Sequence, residues 1–148
     1  MAVREKIVFW ILHVARFFMG GLFLYAGATK IPDPSGFAVD VQNYRLLPHI
    51  LTVVFALYLP WIEVFCGIAV IVRRLYLGAL GILTVLMGIF IVAIVSAWAR
   101  GLDISCGCFG RHGGTADYPW LVVRDMAILG ILAILAAWHL IQHRGERC

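Results

Sequence analysis

Charge is what this sequence has least of. Only 14% of the 148 residues are charged, 12 basic and 8 acidic, where a soluble domain carries roughly a quarter. That scarcity excludes a soluble globular domain. With 63% hydrophobic residues and a mean hydropathy of +0.95, the chain reads as a membrane protein. Basic clusters are missing as well. The pI of about 9.1 comes from residues scattered among loops and ends, which argues against nucleic acid and for membrane topology. There is no internal repeat, no low-complexity segment and no second domain, so residues 1–148 are expected to form a single domain.

What is abundant is long apolar runs. A bilayer span takes roughly 20 apolar residues, and four segments qualify: about 7–28, 49–72, 75–98 and 120–141. Arg73 and Arg74 split the middle block into two helices joined by a tight turn. The first loop, Lys30 to Pro48, opens with Pro32, Pro34, Ser35 and Gly36 and continues into an amphipathic stretch, Phe37 to Leu47. The third loop, Arg100 to Pro119, holds five glycines and two cysteines. The expected fold is therefore all-α, an integral membrane four-helix transmembrane bundle.

The first segment has a basic start, Arg4 and Lys6, and a small-x-small stretch at Ala26-Gly27-Ala28. Its apolar run is longer than a signal-peptide core and contains Arg16, so it is expected to be a retained helix. Orientation follows from basic residues. Arg4, Lys6, Arg73, Arg74, Arg144 and Arg147 share one side, and Lys30, Arg45, Arg100 and Arg111 the other. The positive-inside rule puts both termini in the cytoplasm and the third loop outside, in a multi-pass protein of the cytoplasmic (inner) membrane.

The chain has four cysteines. Cys148 ends it on the cytoplasmic side and Cys66 lies within the second span, where a small buried hydrophobe is the ordinary role. Neither easily reaches Cys106 or Cys108, which are separated by one glycine in the third loop. That pair can bond to itself, hold a soft metal, or exchange with a partner's disulfide in a compartment that permits disulfides.

Ionisable residues within spans are costly and usually face a partner or cavity. His13, Arg16, Gly20, Phe23, Gly27 and Lys30 recur at steps of three and four, forming one face of the first helix. Glu63, Cys66 and Gly67 do the same in the second. If those helices start and end at Ile7 and Val72, Arg16 and Glu63 each lie nine residues in, about 13 Å deep. An ion pair between them is expected.

Arg124 and Asp125 lie one turn into the fourth helix, whose start suits Tyr118-Pro119-Trp120. That helix aims its positive end, backed by Arg124, at the cysteine loop, with Lys30 and Arg111 adding to the field; such surroundings favour thiolate. Alternatively Arg124 snorkels or pairs with Asp125, an awkward pairing because adjacent helical residues point in different directions.

Arg16 with Gly20, Ala26-Gly27 and Lys30, Tyr44-Arg45-Leu46-Leu47-Pro48, Leu59-Pro60 with Glu63 and Gly67, Arg100-Gly101 leading to Cys106-Gly107-Cys108-Phe109-Gly110, and Arg124-Asp125 together resemble the MauE/DoxX-like redox-associated membrane proteins. The resemblance covers most of the chain. It implies a four-helix bundle serving methylamine metabolism, where a member helps make a disulfide-rich periplasmic dehydrogenase subunit. It thereby implies thiol–disulfide traffic with secreted proteins, with Lys30, Arg100, Arg124 and Asp125 supporting Cys106 and Cys108.

Two functions stand. In the first, the chain is a thiol–disulfide oxidoreductase or maturation factor. Cys106 and Cys108 cycle between dithiol and disulfide against an extracytoplasmic thioredoxin-like or disulfide-containing partner, since the chain has no thioredoxin-like domain. Electrons could pass on to a quinone between the helices, although no residue specifies one. In the second, Cys106, Cys108 and His112 hold copper, zinc or mercury, and Cys66, Met19, Met87 or His13 would extend a path. A static disulfide is a third role, but so short a bridge closes almost no loop.

Overall fold

A computed structural model describes residues 2–102 and 118–145. These form five helices: α1 Ala2–Lys30, α2 Pro34–Asn43, α3 His49–Val72, α4 Tyr76–Ala99 and α5 Tyr118–Gly145. No strand occurs among the described residues. Four helices are long and apolar enough to cross a membrane, at Lys6–Lys30, His49–Val72, Tyr76–Ala99 and Pro119–Gln142. The expected four-helix membrane bundle is therefore the fold. Cys106, Cys108, Arg111, His112 and Cys148 lie outside the described residues.

The four spans close a ring in which α3 packs on α1 and α4, and α5 on α4 and α1. One end of the bundle carries the α3–α4 turn, with the start of α1 and the end of α5. The other carries the end of α1, α2, the close of α4 and the opening of α5. The amphipathic first loop is partly helical. Asp33 caps α2 by accepting from the Gly36 N–H at 2.9 Å and the Ser35 hydroxyl at 2.7 Å, and Pro34 fills the first turn, where its missing donor costs nothing. The helix lies along α3, burying Phe37 against Ala56 and Leu59.

The surface is apolar: Trp10, Phe18, Ile50, Phe65, Val92 and Trp120 are all exposed, as suits side chains that meet lipid. The interior holds an apolar core built on Met19, Phe23, Val70, Leu80, Leu83 and Leu132, but also Arg16, Lys30, Glu63 and Asp125.

Helices α1 and α3 approach closely because Gly20, Gly27 and Gly67 line their contact. A Cβ on Gly67 would lie 2.8 Å from the Gly20 carbonyl oxygen, and one on Gly27 would lie 2.6 Å from that of Pro60. Backbone thus lies against backbone, the arrangement small residues permit between membrane helices. These contacts set the register and correct one expectation. Arg16 does not pair with Glu63, which pairs with Lys30 instead. Gly20 faces Gly67 and Ile71, and Gly27 faces Pro60 and Val64, so Arg16 comes level with the end of α3. That is about ten residues, or roughly 15 Å, from Glu63. Matched helix ends are the wrong guide because α1 begins well before the α3–α4 turn.

Candidate functional site

Lys30 is the last residue of α1 and Glu63 lies mid-way along α3. The ammonium donates to both carboxylate oxygens, to Oε1 at 2.8 Å and Oε2 at 2.7 Å. Both side chains are buried. The Phe37 ring of α2 and the Phe90 ring of α4 flank the ammonium, with centroids 5.1 and 5.7 Å from Nζ. A buried ion pair holds only if its geometry and remaining bonds are good. Here a bidentate contact is supplemented by two aromatic faces.

Asp125 of α5 completes the cluster. It is 1% exposed and shares with Lys30, Glu63, Phe23, Ala26, Met87 and Phe90 a cavity of about 10 Å³, close to the space one water needs. Arg124 binds Asp125 through Nε at 2.9 Å and Nη2 at 2.8 Å, both to Oδ1. The pairing that looked awkward for adjacent residues forms because the long guanidinium folds back over the helix. Asp125 Oδ2 has no hydrogen-bond partner among the described residues, and the Lys30 ammonium has a third N–H beyond the two it gives Glu63. A single water in the cavity could join them.

Three helices thus bring Lys30, Glu63 and Asp125 together, with Arg124 at the rim. The sequence pointed to each residue but assigned Glu63 another partner. Asp40 was passed over. It is buried on α2, and its spacing from Phe37 and Tyr44 places all three on the inner face of that helix.

Arg100 lies outside this cluster. Its guanidinium donates to the backbone carbonyls of Tyr44 and Arg45 and, through Nε, to that of Ser96. It thereby ties the close of α4 to the loop after α2. Immediately beyond, Leu102 N–H bonds the Ala97 carbonyl at 3.1 Å and Gly101 N–H that of Trp98 at 3.0 Å. Gly101 sits at φ +63°, completing a Schellman stop in which a left-handed residue ends the helix. Leu102 then packs on the cluster of Tyr44, Ile94, Ala97 and Leu121. The chain leaves at Leu102 and returns at Tyr118, both at the bundle end nearer Lys30 and Asp125. Asp125 is seven residues below Tyr118, about 10 Å along α5.

A groove of about 520 Å³ lies between α2, α3 and α4, lined by Tyr44, Leu47, Phe55, Leu59, Ile89 and Phe90 among others. It suits an isoprenoid or acyl chain. One hydroxyl, that of Tyr44, is all its lining offers a quinone head, so nothing in it specifies a quinone. Among the described residues, no three of His, Cys, Asp and Glu gather to hold a metal. Met19, Cys66 and Met87 share the apolar core, whereas His13 is turned to the Phe9 carbonyl of its own helix.

A family model described as Methylamine utilisation protein MauE matches residues 8–139. A methylamine utilization protein MauE of Paracoccus denitrificans is 32% identical over 134 residues, 90% of this chain and 70% of the relative. Those of Methylorubrum extorquens and Methylophilus methylotrophus are 36% and 33% identical over 124 and 125 residues. Each of these two matches covers 83% of this chain and 66% of the relative. No solved structure matches.

Proposed function

The chain belongs to the methylamine utilisation protein MauE family, and on that premise we propose that it serves methylamine utilisation as a membrane-embedded thiol–disulfide exchange protein. Its Cys106 and Cys108 face the extracytoplasmic side, both termini are cytoplasmic, and residues 1–148 act as one domain. The partner is a secreted thioredoxin-like or disulfide-containing protein.

One observation carries this reading. Lys30, Glu63 and Asp125 converge from three helices around a water-sized cavity, at the bundle end where the chain leaves at Leu102 and returns at Tyr118. Charges buried at membrane depth are costly and mark functional positions. Here they lie at the bundle end where the described chain breaks off at Leu102 and resumes at Tyr118. Arg124 and the opening turn of α5 supply a positive field that favours thiolate.

In the exchange, the Cys106 thiolate attacks a sulfur of the partner's disulfide, forms a mixed disulfide and releases the other partner sulfur as thiolate. Cys108 then attacks Cys106, the partner leaves as a dithiol, and the Cys106–Cys108 disulfide remains. Run backwards, the same steps oxidise the partner. Either way one disulfide moves, with two electrons and two protons passing the other way.

The test is thiol trapping in intact cells. Cys108→Ser should accumulate a covalent complex through Cys106, because nothing remains to release the partner, and Cys106→Ser should accumulate far less. Trapping by the opposite variant would reverse the two roles. If neither variant trapped a protein, and the purified protein carried near-stoichiometric metal lost on His112→Ala, soft-metal binding by Cys106, Cys108 and His112 would replace this reading.

A further inference from the structure

With Glu63 committed to Lys30, Arg16 has no carboxylate partner among the described residues. It is 8% exposed, and its Nε and Nη1 are buried with no hydrogen-bond partner. Its cation lies over the Phe17 ring, 4.7 Å from Cζ to the centroid, a contact that uses none of the donors in the plane of the guanidinium. A buried polar group left in this state calls for an explanation, of which an unseen ion is one, and a guanidinium keeps its charge wherever it sits.

The surroundings add positive charge. The α1–α3 register brings Arg16 level with Arg73, which ends α3 at φ +62°. Arg16 and Arg73 act electrostatically on each other and on Tyr76, the first residue of α4. Tyr76 is buried, and its ring lies against His139 of α5 with centroids 4.9 Å apart. Among the described residues, the other acidic groups are elsewhere. Asp33 and Asp40 belong to the far end, Glu63 binds Lys30 and Asp125 binds Arg124. On α1 itself, Glu5 is eleven residues from Arg16, about 16 Å along the axis.

We propose that Arg16, Arg73 and the Tyr76 hydroxyl form an anion site that takes a phosphate group beside the α3–α4 turn. The planar guanidinium fork matches two phosphate oxygens, a second arginine supplies further charge from the exposed turn, and a phenol adds a neutral donor. The site lies where the spans ending at Val72 and beginning at Tyr76 meet the membrane surface. The phosphate is therefore that of an anionic phospholipid headgroup or a free phosphate. The thiol chemistry at the opposite end plays no part in this site.

The test uses the full chain, reconstituted in phosphatidylcholine nanodiscs with and without phosphatidylglycerol and examined by native mass spectrometry after release. A parallel arm follows thermal unfolding in detergent with inorganic phosphate. The wild type should retain phosphatidylglycerol, and Arg16→Gln and Arg73→Gln should retain it roughly ten-fold less or weaker still, the scale of one charge-assisted hydrogen bond. Arg73 is exposed on the turn, so its variant reads the site even if Arg16→Gln folds poorly. Stabilisation by inorganic phosphate that is lost in both variants, without lipid retention, would assign the free ion instead. Equal lipid retention by all three proteins, with no response to phosphate, would overturn the site.

Discussion

Lys30 and Glu63, 33 residues apart in sequence, are joined by two hydrogen bonds of 2.8 and 2.7 Å in the interior of the bundle. The pair fastens the end of α1 to the middle of α3. Its ammonium also borders the cavity that Asp125 enters from α5, so one contact links three helices.

Removing either partner alone strands a buried charge. Lys30→Met or Glu63→Leu should each cost about 3–5 kcal/mol, whereas the double variant should cost far less than the sum. A double-mutant cycle on unfolding in mixed micelles measures this; simple additivity would mean that the two side chains are not in contact.

Close approach of α1 and α3 should tolerate no methyl group. Gly67→Ala places a Cβ 2.8 Å from the Gly20 carbonyl oxygen, a backbone atom that cannot swing aside, and should cost about 1–3 kcal/mol. Gly81→Ala and Gly88→Ala meet nothing within 4 Å and should be neutral or stabilising by up to about 1 kcal/mol. Equal effects at all three positions would contradict the register.

Arg124 and Asp125 should move the loop thiols in opposite directions. Removing the cation in Arg124→Gln disfavours thiolate, so alkylation of Cys106 and Cys108 at neutral pH should slow, by up to about ten-fold for one pH unit of displacement. Asp125→Asn removes an anion and should speed it. Alkylation rates followed against pH in the reduced protein read both signs.

Topology is checked by labelling. A bulky membrane-impermeant thiol reagent applied to intact, reduced cells should modify Cys106 and Cys108 and leave Cys148 untouched. The reverse pattern would invert the bundle.

At Gly101, φ +63° ends α4. Gly101→Ala should lose about 1 kcal/mol of stability, and Gly101→Val more, because a β-branched residue resists that conformation. If the Schellman stop aims the cysteine segment, mixed-disulfide trapping should fall in step with that loss.

Much of this protein was legible in its sequence. The span from His49 to Val72 was expected with the ends it has, because a run of apolar residues bounded by Pro48 and Arg73 leaves little choice. The face carrying Arg16, Gly20, Phe23, Gly27 and Lys30 is indeed buried except where it nears the start of α1, since helical periodicity needs only the chain itself. The short helix α2 was visible only as an amphipathic stretch. Ten residues with one side-chain cap are marginal alone, and α3 stabilises them.

Hydropathy and charge, acting residue by residue, determined the membrane setting, the number of spans and which faces turn inward. Partner choice among the buried charges was decided by tertiary structure. Helix lengths do not fix how far α1 slides along α3; the backbone contacts at Gly20, Gly27 and Gly67 do. A shift of about ten residues, roughly 15 Å, is far beyond the reach of any side chain, so that sliding gave Glu63 to Lys30 and left Arg16 at the other end beside Arg73.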